Sequence, residues 1–478
     1  LLYGIATLAG VVLIQMTGST APKVTVSVDP TAPGVAVPRT AIGLNTAIWD
    51  SNLMDARIPS LVRDAGVGIL RYPGGSTSDA YHWRTHSMTA NVSGDVAPNT
   101  TFDAFMTRLV QPAGARAMVT VNYGSNPEGT GGADPQEAAS WVRYANVQHH
   151  YDVRYWEIGN EVYGNGYYGA RWETDLHADR SPAAYARNAI AFSRAMKAQD
   201  PSIQVGLVLA APTQWPDGQG PEDWNTTVLD GACSAADFVS VHWYPQEPGE
   251  ENDARLLVSP STIPTMVAKT RALLREHCGA RGEQMEIFVT ETNSVTSKPG
   301  KQTVGPVNAL FLVEDFLTWL REGTRNVTWW TLHNSAERGN NTSAGLTGTA
   351  TYGDYGVLAR GDADLPADAP YPTYGALTLV GRAAQVGARF MQAVSSNPSV
   401  SAFALREPDG GTAVVVVNRD AAASWRMYVA GVHGGTSGAR VWLLSPSTSG
   451  LTGPEAWTSG GTLPPYGAAF IEIPPTAL

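Results

Sequence analysis

Charge is scarce in this sequence and cysteine scarcer still: 16% of the 478 residues are charged, and only Cys233 and Cys278 are cysteines. Lys and Arg total 32 against 43 Asp and Glu, the net charge is −11, and no basic run occurs. Binding to nucleic acid needs clustered cations to replace the phosphate counterions, so the balance argues against it and for a neutral ligand. No His-Glu-x-x-His, Cys-x-x-Cys or Gly-x-x-x-x-Gly-Lys segment is present, so no metal, nucleotide or other cofactor is expected. Two cysteines are too few for a disulfide scaffold; they suit one disulfide in an exported protein, or two separate thiols. Long apolar runs are also missing, with one exception. Leu1 to Met16 is apolar and is followed by the small polar stretch Thr17 to Ala21. It is shorter than the roughly 20 residues of a spanning helix and reads as the core and exit of a secretory signal over residues 1–22. A secreted, extracellular protein is expected, with a membrane partner only if this segment is an uncleaved anchor.

Gly and Pro, by contrast, are plentiful at 49 and 32 residues, and 43% of the chain is apolar, the composition of a globular protein with many turns and long loops. The length suits a barrel of about 250 to 350 residues with one accessory domain. Over residues 41–386 short apolar runs alternate with segments of helical period, which predicts an α/β fold, a (β/α)8 TIM barrel. Its strands are expected at Ile42 to Asn45, Gly68 to Tyr72, Ala117 to Asn122, Val153 to Ile158, Gln204 to Leu209, Phe238 to Trp243, Met285 to Thr290 and Asn326 to Thr331. Asp134-Pro135 with Glu137, Ser181-Pro182 and Pro306 mark helix starts between them, and Pro372 opens the last barrel helix. Over residues 387–478 short strand-like runs between Gly, Ser and Pro turns predict a C-terminal antiparallel β-sandwich. Within residues 23–40, Val24 to Val28 alternates as a half-buried strand would and is expected to pair with that sandwich. The Gly- and Asn-rich residues 334–372 are expected to roof the active site.

In such a barrel the reacting groups sit at the C-terminal ends of the strands. Glu161 closes Tyr155-Trp156-Glu157-Ile158-Gly159-Asn160-Glu161 at strand four, and Glu291 closes Ile287-Phe288-Val289-Thr290-Glu291 at strand seven. Strands four and seven face each other across the barrel mouth, so the two carboxyls can flank one bond. Glycoside cleavage needs such a pair: an acid to protonate the leaving oxygen and a carboxylate to capture the oxocarbenium-like carbon. Glu161 is expected to be the general acid/base, kept protonated by burial and by its partner's charge, and Glu291 the nucleophile. Retention of configuration requires the two groups to lie about 5 to 5.5 Å apart. By position, Trp330 is expected to give the sugar an apolar platform, and Asn45, Trp49 and Asn122 to line the pocket. Arg71 is expected to hold the nucleophile charged.

These motifs resemble those of clan A retaining glycoside hydrolases. Arg71-Tyr72-Pro73-Gly74-Gly75 with Tyr81-His82-Trp83, and Trp156 to Gly164 around Glu161, look most like the α-L-arabinofuranosidases of glycoside hydrolase family 51. The resemblance implies an exo-acting hydrolase of oligo- or polysaccharides. It further implies that Asn160 binds the hydroxyl next to the reacting carbon, and that His242 and Tyr244 steady the nucleophile and orient the substrate. The chain departs from the family at Gly43 to Asp50 in strand one and at Thr292-Asn293-Ser294, where the usual aromatic after the nucleophile is missing. Other clan A activities on the same plan therefore stay open: β-xylosidase, β-glucuronidase or heparanase-like, and galactofuranosidase. So does a catalytically inactive carbohydrate-binding protein.

Overall fold

The computed structural model describes residues 21–32, 34–219, 222–448 and 450–475. The signal-like segment lies outside them, apart from its last two residues. Eight parallel strands close a barrel in chain order: Ile42–Asn45, Ile69–Tyr72, Arg116–Val121, Tyr155–Ile158, Gln204–Val208, Phe238–Trp243, Glu286–Thr292 and Asn326–Trp329. Pairing of Val327 with Ile42 joins the eighth strand to the first. The helices between strands lie outside the barrel, as their caps foretell: Asp134 and Ser181 each accept a backbone N–H at the start of Pro135–Val142 and Pro182–Lys197.

The period of two along each strand sorts the barrel interior into layers. Ile69, Met118, Tyr155, Phe238 and Phe288 form an apolar plug at the bottom. Two residues further along the same strands stand Arg71, Thr120, Glu157, Ser240 and Thr290, all buried, as a polar layer. One more step up brings His242 to the mouth. Glu291 reaches the mouth by a different device. The pairing of strands six and seven slips between Val289 and Glu291, so that Val289 faces Val241 and Glu291 faces His242. This bulge turns Glu291 inward, where strict alternation would put it on the same side as Val289.

Beyond the barrel, nine strands form one curled sheet, antiparallel except where Lys23–Asp29 runs parallel to Trp425–Ala430. Lys23–Asp29 also pairs antiparallel with Arg389–Ser395. The strand Thr412–Asn418 shows why its sequence does not alternate: Val414 and Val416 fill the sheet's own core, while Ala413, Val415 and Val417 join the core it shares with the barrel. That second face packs on the helices Pro306–Arg321 and Pro372–Ala383. Cys233 and Cys278 are bonded, with Cα atoms 5.5 Å apart, and staple the end of the helix Trp224–Ala232 to the helix Ile263–Gln284. Among the described residues no helix is long and apolar enough to cross a membrane.

Candidate active site

Arg71 organises the floor. All five of its N–H groups are used: Nε and Nη2 donate to Glu157 Oε2 at 2.9 and 2.7 Å, Nη2 also to Asn160 Oδ1 at 2.7 Å, and Nη1 to Asn45 Oδ1 at 3.0 Å and Glu291 Oε1 at 2.8 Å. Burial opposes the guanidinium charge, but Glu157 and Glu291 outweigh it and raise the Arg71 pKa. Burial likewise pushes the Glu157 carboxyl up, and Arg71 and His242 together bring it below its ordinary value. Arg71 thus both anchors the barrel floor and touches the expected nucleophile.

Glu291 is held at both oxygens, since the Tyr244 hydroxyl donates to Oε2 at 2.7 Å. Burial, then the charges of Glu291 and Glu161, keep the Tyr244 hydroxyl far from ionisation, so it remains a donor. Glu161 stands opposite, at φ +38°, a left-handed conformation unusual for a residue with a side chain and typical of functional turns. The turn is held from below by Asp79, which accepts the backbone N–H groups of Asn160 at 2.9 Å and Tyr123 at 3.0 Å. Glu161, His242 and Glu291 each place one side-chain atom within 4.8 Å of the others. This is the one group among the described residues close enough to share a cation. The Glu161 to His242 contact, at 2.8 Å, has the length of a hydrogen bond.

The proton in that contact can be traced. Arg71 and Thr120 donate to Glu157 Oε2, and the Thr290 hydroxyl donates to Glu157 Oε1 at 2.9 Å. Having spent its hydrogen, Thr290 Oγ1 accepts from His242 Nε2 at 3.0 Å. His242 Nδ1 and Glu161 Oε1 therefore share one proton. Burial opposes the His242 charge, yet Glu291 and Glu161 raise its pKa; burial pushes Glu161 up, yet His242, Trp172 and Tyr163 lower it. Burial was expected to keep Glu161 protonated; the contact with His242 acts the other way and lowers its pKa.

Glu161, His242, Tyr244 and Glu291 line a cavity of about 740 Å³ with Gly75, Ser76, Asn160, Trp172, Trp215 and Trp330. A Cβ on Gly75 would come within 2.7 Å of the Trp330 indole, so glycine there leaves room for the ring beside the cavity. Tyr355 reaches the cavity from the segment after strand eight, where the roof was expected. Three expected pocket residues do not line it. Asn45 is fully buried one layer down, bonded to Arg71 and to the Thr290 carbonyl. Asn122 is buried and bonded to the Tyr81 carbonyl and the Ser125 N–H. Trp49 lies under the Arg360 guanidinium, 5.7 Å from its ring centre. Asp79, Thr290, Trp172, Trp215 and Glu173 shape the site without having been expected from the sequence. Glu173 accepts from Ser76 at 2.6 Å and from Asn160 Nδ2 at 3.0 Å, and burial holds it well above the usual carboxyl range. Only Trp172 and Trp215 carried a sequence signal, as aromatics in polar loops past strand ends.

No family model matches the chain. α-L-Arabinofuranosidase C of Emericella nidulans is 26% identical over 191 residues, 35% of this chain and 34% of that protein. An intracellular exo-α-(1→5)-L-arabinofuranosidase of Acetivibrio thermocellus is 26% identical over 217 residues, 40% of this chain and 39% of that protein. The matched region is thus a little over a third of those relatives' length. In fold, the chain is similar to the α-L-arabinofuranosidase of Thermotoga maritima solved with arabinose, with a TM-score of 0.71 at 18% identity over 94% of this chain and 100% of that one. The chain is similar to arabinofuranosidases of glycoside hydrolase family 51, to which other matched structures belong.

Proposed function

We propose that this protein is a retaining, exo-acting glycoside hydrolase of α-L-arabinofuranosidase type, acting on side chains of plant or microbial polysaccharides. One observation carries the reading: side-chain oxygens of Glu161 and Glu291 approach within 4.8 Å across the cavity. Carboxyl oxygens this near each other support the retaining arrangement, in which the two groups lie roughly 5 to 5.5 Å apart. Glu291, steadied by Arg71 and Tyr244, attacks the anomeric carbon. Glu161 passes the proton it shares with His242 to the departing oxygen, and then takes one from the water that releases the sugar. Asn160, whose Oδ1 is tied to Arg71, turns its amide N–H groups toward Glu173 and the cavity, where a sugar hydroxyl can accept. Among the described residues that line the cavity none is Lys or Arg, which supports a neutral sugar over a uronic acid. Export belongs to the same proposal and is supported by the Cys233 to Cys278 bond, a feature of oxidising compartments.

The test is a panel of 4-nitrophenyl glycosides comprising α-L-arabinofuranoside, β-xyloside, β-galactofuranoside and β-glucuronide. Turnover of the arabinofuranoside above the others is the expected result. Preference for another member would reassign the sugar, and no turnover of any would contradict the enzymatic reading.

A further inference from the structure

The loop after strand four folds back on the end of its own strand, and two neighbouring residues in it address Asn160 and Glu161 separately. The backbone N–H groups of Trp172 and Glu173 both donate to the Gly164 carbonyl, at 2.9 and 3.1 Å. From that anchor the Trp172 indole reaches Glu161, and the Glu173 carboxyl reaches Asn160. Glu173 lies past the stretch that resembles arabinofuranosidases, Trp156 to Gly164, so its role is read from its contacts. The residue is 3% exposed. Its Oε1 accepts two hydrogen bonds, from the Ser76 hydroxyl at 2.6 Å and from Asn160 Nδ2 at 3.0 Å. Its Oε2 is buried and has no hydrogen-bond partner among the described residues. Arg71, the cation of the floor, reaches Glu157, Glu291, Asn45 and Asn160 but not Glu173.

These contacts fix the charge of Glu173. A buried carboxylate needs a cation or donors at both oxygens; here one oxygen has neither, and Asp79 and Glu161 add negative charge nearby. The carboxyl is therefore in its acid form, with Oε1 the carbonyl and the proton on Oε2. The same contacts fix Asn160. Its Oδ1 accepts from Arg71 at 2.7 Å, and a bond at that end alone would leave the amide free to swing. The second bond, from Nδ2 to Glu173, sets the plane of the amide and leaves one Nδ2 hydrogen for the cavity that Asn160 lines. We propose that Glu173 is a positioning residue, an uncharged carboxyl that aims this remaining N–H at the sugar hydroxyl beside the reacting carbon. A neutral acceptor does so without pressing a further negative charge on Glu161, which has to give its proton to the leaving oxygen.

This role rests on the proposed hydrolysis, so its test sets two substrates side by side: the glycoside preferred in the panel and its 2-deoxy counterpart, which lacks the hydroxyl. Glu173→Ala is expected to lower kcat/KM about tenfold on the first and less than about twofold on the second, the worth of a hydrogen bond made only when that hydroxyl is present. Glu173→Gln keeps a carbonyl acceptor that cannot ionise, and should restore most of the loss. The charge has a readout apart from activity: the infrared difference between the wild-type chain and Glu173→Gln at neutral pH should contain the C=O stretch of a protonated carboxyl. Equal losses on the two substrates, Glu173→Gln no better than Glu173→Ala, or a carboxylate band in place of the acid band would overturn the role. A wild-type chain that hydrolyses no glycoside would sink the hydrolase reading and this role with it, whereas equal losses in an active enzyme would sink this role alone.

Discussion

The two carboxyls at the barrel mouth live in unlike surroundings. Glu291 belongs to a barrel strand, is turned inward by a bulge, and takes hydrogen bonds from a fully buried arginine and a tyrosine. Glu161 lies past the end of its strand in a left-handed turn, shares a proton with His242, and accepts from an indole on an exposed loop. A nucleophile works best when fixed in one place and one charge state, whereas an acid/base must gain and lose a proton each turnover. The difference teaches that the barrel supplies rigidity to one partner and the loops supply exchange to the other.

The largest effect should come from breaking each side in turn. Glu291→Ala should cut kcat by roughly four orders of magnitude or more on every substrate. Glu161→Ala should cost about 10²- to 10⁴-fold on oligosaccharides, and far less on aryl glycosides whose leaving groups need no proton. Steady-state kinetics with both substrate types checks this, and equal losses on both for Glu161→Ala would erase the distinction. Next in size is Arg71→Met, which leaves Glu157 and Glu291 buried without their cation and should cost about 3 to 5 kcal/mol of stability, read by denaturant unfolding.

The pH profile sharpens the comparison further. The pair holds its proton between the lowered pKa of Glu161 and the raised pKa of His242. Activity should therefore fall on the alkaline side as pH passes the raised His242 value, above the ordinary 6.5. With His242→Asn that limb should move to lower pH, because Glu161 must then hold the proton alone; a limb that stays in place would show that His242 does not share it. The smallest effect is expected of Thr290→Val, which removes the acceptor for His242 Nε2 and a donor to Glu157. About 1 to 3 kcal/mol of stability should be lost, with a smaller shift of the alkaline limb than His242→Asn produces.

Much of this was legible in the chain. All eight barrel strands fall within two residues of their expected places, because buried parallel strands read as apolar runs and their helices carry explicit caps. Glu161, Glu291, Asn160, His242, Tyr244 and Trp330 do meet in one cavity. Three things were hidden. The bulge at Thr290 is a matter of register between two strands, which no single run of residues displays. Asn45 sits at a strand end as the pocket residues do, but one layer lower, where Arg71 needs an acceptor. Trp172 lies eleven positions past Glu161 in a loop without period, so only the folded loop brings its indole to the acid.

The stereochemistry of the first product tests the central claim most directly. Proton NMR of the released sugar, taken before mutarotation, should show the anomeric configuration of the substrate, as two displacements at a carboxyl pair this close require. Initial release of the opposite anomer would mean that water attacks directly, and the account of Glu291 as nucleophile would be wrong.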